Sequence, residues 1–304
     1  MLVEEKFERA ERIQAQEETP EEKDTVVDEE LDRAGGCGFF QIYAQLFITL
    51  GMVSMGFWHL NLGYMLQVPQ YECTYLGSTE GFIACDKVTI CSNDPAITDW
   101  RVDWDSKKSL DNWIVAFDWH CKPQWMLALP GACSFIGWTL GSFFLPPMSD
   151  IYGRKMFVLA GQVCMLGFHL LMQLTTSYAI IVACSFILGF LTSIRLMIAY
   201  NYMVELLPQR WQVTSGLFYL VVEGMTFLTA TLYFNKNTDW STFFCITWLS
   251  NIISFCGTTL LPESPRFLYS VGKKAKLDAT MEQIAKWNCR KLKYDAAKTD
   301  DQYV

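Results

Sequence analysis

Two opposite charges, Arg195 and Glu223, stand deep inside otherwise apolar stretches of this 304-residue sequence. A charged side chain at the centre of a bilayer costs about 2.5–3.5 kcal/mol on insertion scales, so such groups are paired or functional. The chemistry open to them is a substrate or proton site at mid-membrane, or an ion pair with each other or with another subunit. The cost of leaving either alone favours pairing, with each other or with another subunit, over a substrate or proton site. Nearer the ends of apolar stretches lie two further clusters. "MSDIYGRK" holds Asp150, Gly153, Arg154 and Lys155, where glycine permits a tight turn, aspartate can cap or pair, and two cations can hold a membrane face. "LPESPRFLYSVGK" holds Pro262, Glu263, Ser264, Pro265 and Arg266. The prolines cannot extend the preceding helix. Ser264 can cap the next one with Pro265 at its first position, and Arg266 can hold a carboxylate or a lipid phosphate.

The remaining chemistry-bearing residues point to structure. Of the 11 cysteines none form a CxxC pair, which gives no metal spacing. Cys73, Cys85, Cys91 and Cys121 share one polar segment and suit two disulfides, with three pairings open. The other cysteines read as small apolar residues. His59 and His169 read as packed or interfacial side chains. There is no nucleotide loop, metal box or nucleophile elbow, so neither an enzyme nor a cofactor is expected.

The elements that carry these residues are membrane helices. The chain is 51% hydrophobic with a mean hydropathy of +0.16. A crossing helix needs roughly 20 mostly apolar residues. Segments 39–66, 124–147, 155–174, 178–203, 211–234 and 240–261 meet that length, predicting an all-α membrane protein with a six-helix domain over 39–261. A long polar loop, 67–123, separates the first two spans, and the other connections are very short. Residues 262–304 form a basic C-terminal segment, in which 266–292 read as one amphipathic helix. Leu277, Met281, Ile284 and Ala285 make its apolar stripe and lysines its polar face.

Charge places the segments. Residues 1–33 of the acidic tail (1–38) hold 13 acidic and 5 basic residues, a net of −8 that equals the charge of the whole chain. This tail reads as a solvated segment or as a docking arm for a basic partner. No basic field for nucleic acid is left. Lys and Arg gather after the second, fourth and sixth spans, which predicts both termini on the cytoplasmic or matrix side. The start of the chain lacks a signal-peptide pattern. The long loop has no N-x-S/T acceptor, which favours a membrane outside the secretory route, such as the mitochondrial inner membrane.

Four stretches together resemble the organic cation/anion transporter family of the major facilitator superfamily. "MSDIYGRK" is similar to the superfamily's loop between helices two and three. "NWIVAFDWHCKPQW" is similar to the re-entry of the family's large outer loop. "SFILGFLTS" through "YMVELLPQRW" is similar to the fourth helix and the turn after it. "LPESPRFLYSVGKKAKLDATMEQIAKWN" is similar to the join after the sixth helix. The resemblance covers roughly residues 36–290 and implies two three-helix repeats, the first half of a twelve-helix fold. In such a fold substrate binds between rocking halves. Two departures fall where halves would meet: Pro146 replaces the family's glycine, and Ile151 its basic residue. The expectation is therefore a non-transporting accessory subunit in a complex with other membrane proteins. The alternative is an organic-ion transporter acting as a homodimer of halves or within a longer protein.

Overall fold

The computed structural model describes residues 20–77, 81–92 and 94–291, with side chains from residue 25. Helix α1 (Pro20–Arg33) precedes α2 (Phe39–His59) and the short α3 (Leu62–Met65). The outer segment contains β1 (Tyr71–Tyr75), β2 (Ile83–Cys85), α4 (Lys87–Ile90), β3 (Ile97–Val102) and α5 (Trp113–Ala116). Then follow α6 (Gln124–Tyr152), α7 (Arg154–Leu174), α8 (Tyr178–Ser193), a π-helical stretch (Ile194–Ala199) and α9 (Tyr200–Glu205). The chain continues with α10 (Gln209–Phe234), α11 (Trp240–Thr259), α12 (Pro265–Ser270) and α13 (Lys274–Trp287). We call the membrane face bearing Arg154 and Arg266 inner, and the face bearing the 67–123 segment outer.

Among the described residues, five helical stretches are long and apolar enough to cross a membrane: Phe39–Met65, Gln124–Tyr152, Arg154–Leu174, Tyr178–Glu205 and Gln209–Phe234. The sixth expected span is α11, a helix of 20 residues whose hydropathy is lower because Thr247, Asn251, Ser254 and Thr258 lie along its buried side. That polar side packs along α2, which is also touched by α10 and α8. The result is a mostly helical bundle, consistent with half of a major facilitator fold.

The closest helix contact is between α6 and α8, and small residues make it possible. A Cβ on Gly189 would stand 1.9 Å from the Ser134 carbonyl oxygen, and one on Gly137 2.1 Å from that of Phe186. Helix α6 itself runs beyond its expected end. It continues through Pro146 and Pro147 to Tyr152, so most of "MSDIYGR" is helix and the turn shrinks to Gly153 at φ 111°. The Ser149 hydroxyl donates to the Pro146 carbonyl at 2.7 Å.

The outer segment is folded, not an open loop. Its three strands pair antiparallel in the order β2-β1-β3, and disulfides join Cys73 to Cys85 and Cys91 to Cys121. Asn112 fixes its return to the membrane: the side-chain amide donates to the carbonyls of Tyr64 and Gln67, both at 2.8 Å. Trp113 and Trp119 are then buried among Trp58, Trp240 and Tyr178.

Two expectations at the inner face need correction. The described part of the acidic tail is not solvated: α1 buries Val27 and Leu31 against the protein's own α12 and α13. Residues 1–19 lie outside the described residues. The single amphipathic helix expected over 266–292 breaks at Gly272, whose φ of +66° no regular helix accepts. The stripe Leu277, Met281, Ile284 and Ala285 is buried on α1 and α2, not laid into lipid.

Two outcomes follow from this packing. Gly189→Leu should destabilise the bundle by at least the ~1–3 kcal/mol typical of overpacking. Gly167→Ala, which meets no atom within 4 Å, should be neutral or stabilising by up to ~1 kcal/mol. Unfolding midpoints in detergent compare them. The second outcome concerns pH. His120 is buried beside Trp100, and its Nδ1 lies 3.0 Å from the Tyr71 hydroxyl. Burial lowers its pKa, Asp118 offsets part of this, and Lys87 adds to it. Tyr71, raised by burial to about 12, stays protonated throughout. Above the unfolded value of about 6.5 the imidazole is neutral in both states. Below it only the unfolded chain gains the proton, so the outer domain should lose stability as pH falls from about 6.5. Melting at pH 7.5 and 5 should show this drop, and His120→Gln should flatten it.

Candidate functional site at the inner face and in the bundle core

The two inner-face clusters of the sequence meet in space. The turn at Gly153 brings Arg154 back on α6, where Nη1 bonds the Asp150 carboxylate and donates to Ser149 Oγ at 2.9 Å. The other edge of the guanidinium forms an ion pair with Glu205 at the end of α9, Nη2 to Oε1 3.0 Å. Glu205 Oε2 in turn accepts from the Ser264 hydroxyl at 2.5 Å. Ser264 caps α12, accepting from the Phe267 N–H at 3.1 Å with Pro265 in the first turn. Glu263 caps α7: its Oε1 accepts from the Lys155 N–H at 2.9 Å. A Cβ on Gly153 would stand 2.7 Å from Glu263 Oε2, so this approach requires glycine. Lys155 Nζ donates to the Thr259 carbonyl at 3.0 Å, and the Tyr202 hydroxyl donates to the Pro262 carbonyl. Arg266 pairs with Asp28 of α1 at 3.1 Å. The same carboxylate accepts from the Gln209 N–H that opens α10, at 2.7 Å.

These residues form a charge latch tying the inner ends of α6, α7, α9, α11 and α12. Beside it opens a cleft of about 560 Å³, lined by Asp150, Arg154, Asn201, Glu205 and Arg266 among others. The latch can hold helix ends in register. It places no nucleophile beside a base. Among the described residues no three His, Cys, Asp or Glu side chains gather in a way that could hold a metal ion.

The intramembrane pair is not formed. Arg195 stands on the π-helical stretch, and its buried guanidinium makes its hydrogen bonds to α7 and α11 and lies against Gly51 of α2. Nη2 donates to Asn251 Oδ1, and the Gln162 amide oxygen accepts from Nη1 at 2.9 Å and Nη2 at 3.2 Å. A Cβ on Gly51 would stand 2.0 Å from Nη1, so the first span has no room for a larger residue there. What α10 does reach is the Arg195 backbone: Tyr219 donates its hydroxyl to that carbonyl at 2.7 Å. Glu223, one turn further along α10, is half-exposed, and no side-chain hydrogen bond or ion pair of it is found among the described residues. His59 bonds Ser134 through Nδ1 at 3.1 Å, and His169 sits between Trp58 and Phe244.

Sequence reasoning singled out the charges and missed their partners. Glu205 lies within "YMVELLPQRW" but shows its role only once Arg154 and Ser264 converge on it. Gln162 and Asn251 are amides within apolar stretches, and that was the available signal. Asp28 was submerged in the general acidity of the tail.

The geometry sets the outcome of two mutational cycles. Asn251→Ala should cost about 1–3 kcal/mol while Arg195 is present, because a buried donor loses its acceptor. The cost should fall when Arg195 is Leu. Glu223→Gln and Arg195→Leu should instead be additive within about 0.5 kcal/mol. Unfolding free energies in mixed detergent test both cycles.

Residues 62–304 match the sugar (and other) transporter family. Solute carrier family 22 member 2 of Homo sapiens is 25% identical over 316 residues, covering 88% of this chain and 56% of the human protein. An organic cation transporter-like protein of Drosophila melanogaster is 24% identical over 185 residues, covering 61% of this chain and 33% of that protein. Solute carrier family 22 member 15-like of Xenopus laevis is 26% identical over 178 residues, covering 57% and 36% respectively. The chain thus spans about half the length, or less, of these relatives. It is an integral membrane protein that belongs to the sugar (and other) transporter family of the major facilitator superfamily, with its likeness among the organic cation transporters.

Proposed function

We propose that this chain is a non-transporting structural subunit of a larger membrane assembly, built on half of a transporter fold. One observation carries the reading: apart from Glu223, the faces that α6 and α10 leave open carry no charge and are mostly apolar. Only 28% and 22% of their most apolar stretches are buried. Phe143 and Phe144 on α6, and Val213, Leu217 and Val221 on α10, are exposed. The hydroxyls of Thr139, Thr229 and Thr231 are turned back onto carbonyls of their own helices. Between Trp211 and Leu232 the single charged residue is Glu223, and between Gln124 and Ser149 there is none. Such faces fit lipid or another membrane protein better than a water-filled passage for ions. Arg195 is consumed within the bundle, which removes the other charge a substrate could meet. Pro146 and Ile151 stand where two halves of the family's fold approach.

We place both termini on the cytoplasmic or matrix side, from the lysine and arginine bias, and the assembly in a membrane such as the mitochondrial inner membrane. A second reading rests on Glu223. A half-exposed carboxylate without an ion partner, in a relative of organic cation transporters, suits a cation site completed by a second six-helix unit. That unit is either a second copy or the remainder of a longer protein.

Reconstituted alone into vesicles, the chain should move neither a small quaternary ammonium cation nor an aromatic carboxylate above the leak of empty vesicles. Mild-detergent extraction from its native membrane should recover it mainly in a particle with unrelated proteins. Saturable uptake that Glu223→Gln abolishes would overturn this reading in favour of the transporter.

A further inference from the structure

Helix α13 lies across the inner ends of two spans. Gln283 Nε2 donates to the Leu260 carbonyl at the end of α11, 3.1 Å away. Asn288 accepts from the Phe40 N–H that opens α2, at 2.9 Å. With its apolar stripe inside the protein, α13 turns a different line outward. Lys276 and Gln283 share one edge of α13 at seven-residue spacing, Lys286 follows one turn after Gln283, and Arg290 stands just past the helix end, beyond the left-handed Cys289 (φ 55°). All three cations are exposed. The Gln283 bond aims this line at the membrane end of α11, where Leu260 is itself 56% exposed. The depth is marked independently. Trp287 packs against Tyr43 at 5.0 Å and Phe39 at 6.3 Å, and Phe39 is 63% exposed, the pattern of an interfacial aromatic belt. The acidic residues nearby do not cancel the patch. Glu282 lies one turn before Lys286 and offsets part of its charge, but Asp278 falls on the far edge of α13 from Lys276 and Gln283, and Asp28 and Asp32 of α1 are paired with Arg266 and Arg210.

We infer that Lys276, Lys286 and Arg290 form a surface that binds the phosphate of anionic lipid headgroups at the inner face. The protein already holds the helix at headgroup level, so no ordering of the segment is needed before it binds. Each cation near an anionic surface contributes about 1 kcal/mol, a factor of about five in affinity.

The test uses the full chain purified in neutral detergent, with phosphatidylglycerol or phosphatidylcholine added. Phosphatidylglycerol should raise the melting temperature by several degrees over phosphatidylcholine and remain bound in native mass spectra. Raised salt should erase the difference. The K276Q/K286Q/R290Q triple variant should melt as wild type in phosphatidylcholine and lose the phosphatidylglycerol shift. Should the triple variant fail to fold, Lys286→Gln alone should weaken phosphatidylglycerol binding about fivefold. Retention of the full shift by either variant would overturn the proposal. So would equal stabilisation by free inorganic phosphate, which would assign the surface to a soluble anion.

Discussion

A guanidinium held in the core of a membrane bundle by neutral oxygens constrains everything around it. Desolvating a charge is costly unless its hydrogen bonds are met. Carbonyl oxygens of side-chain amides meet those of Nη1 and Nη2 here with charge-assisted bonds, and Nε alone is left without a partner among the described residues. Arg195 therefore needs Gln162 from the third span and Asn251 from α11 at fixed positions. It also needs a glycine in α2, because a side chain at Gly51 would occupy the same volume. Three spans are fixed relative to the fourth by one residue. Tyr219 then binds the carbonyl behind it and seats the fifth.

The same division of labour appears at the inner face. Arg154, Glu205, Glu263 and Ser264 satisfy one another and two helix termini at once. Both polar clusters spend their charges on the half itself, whereas the α6 and α10 faces carry almost none. A bundle that turns most of its charges inward and, Glu223 apart, is apolar on its open faces is suited to being packed against. That contrast, more than any single residue, supports the subunit reading over transport.

Much of the fold was legible because a bilayer imposes a length and a composition on each span. The helices begin and end within a few residues of the apolar limits for α7 and α10. Legibility failed where a local rule was overridden. Pro146 and Pro147 looked like a helix end, but α6 absorbs them. Gly272 is unremarkable in sequence, yet its positive φ splits the terminal helix. The acidity of the tail obscured the apolar spacing of Val27 and Leu31, which docks α1. The partners of Arg195 were hidden for a geometric reason. The π-helical stretch alters the angular position of residues after Ser193, so a 3.6-residue reading cannot say which neighbours the guanidinium meets. At the latch, by contrast, both motifs were visible, and only Glu205, the residue that joins them, was not.

The Asn288 side chain bonds Ala34, Phe40 and Gln41, so the opening turn of α2 is finished by a residue 248 positions later. A ribosome adding 5–20 residues per second needs on the order of 12–50 s to cover that distance. Through that interval the earliest span must sit in the bilayer with its first N–H groups answered only by water or headgroups. Its inner end is then among the last parts of the bundle to be fixed, although it is among the first to be synthesised.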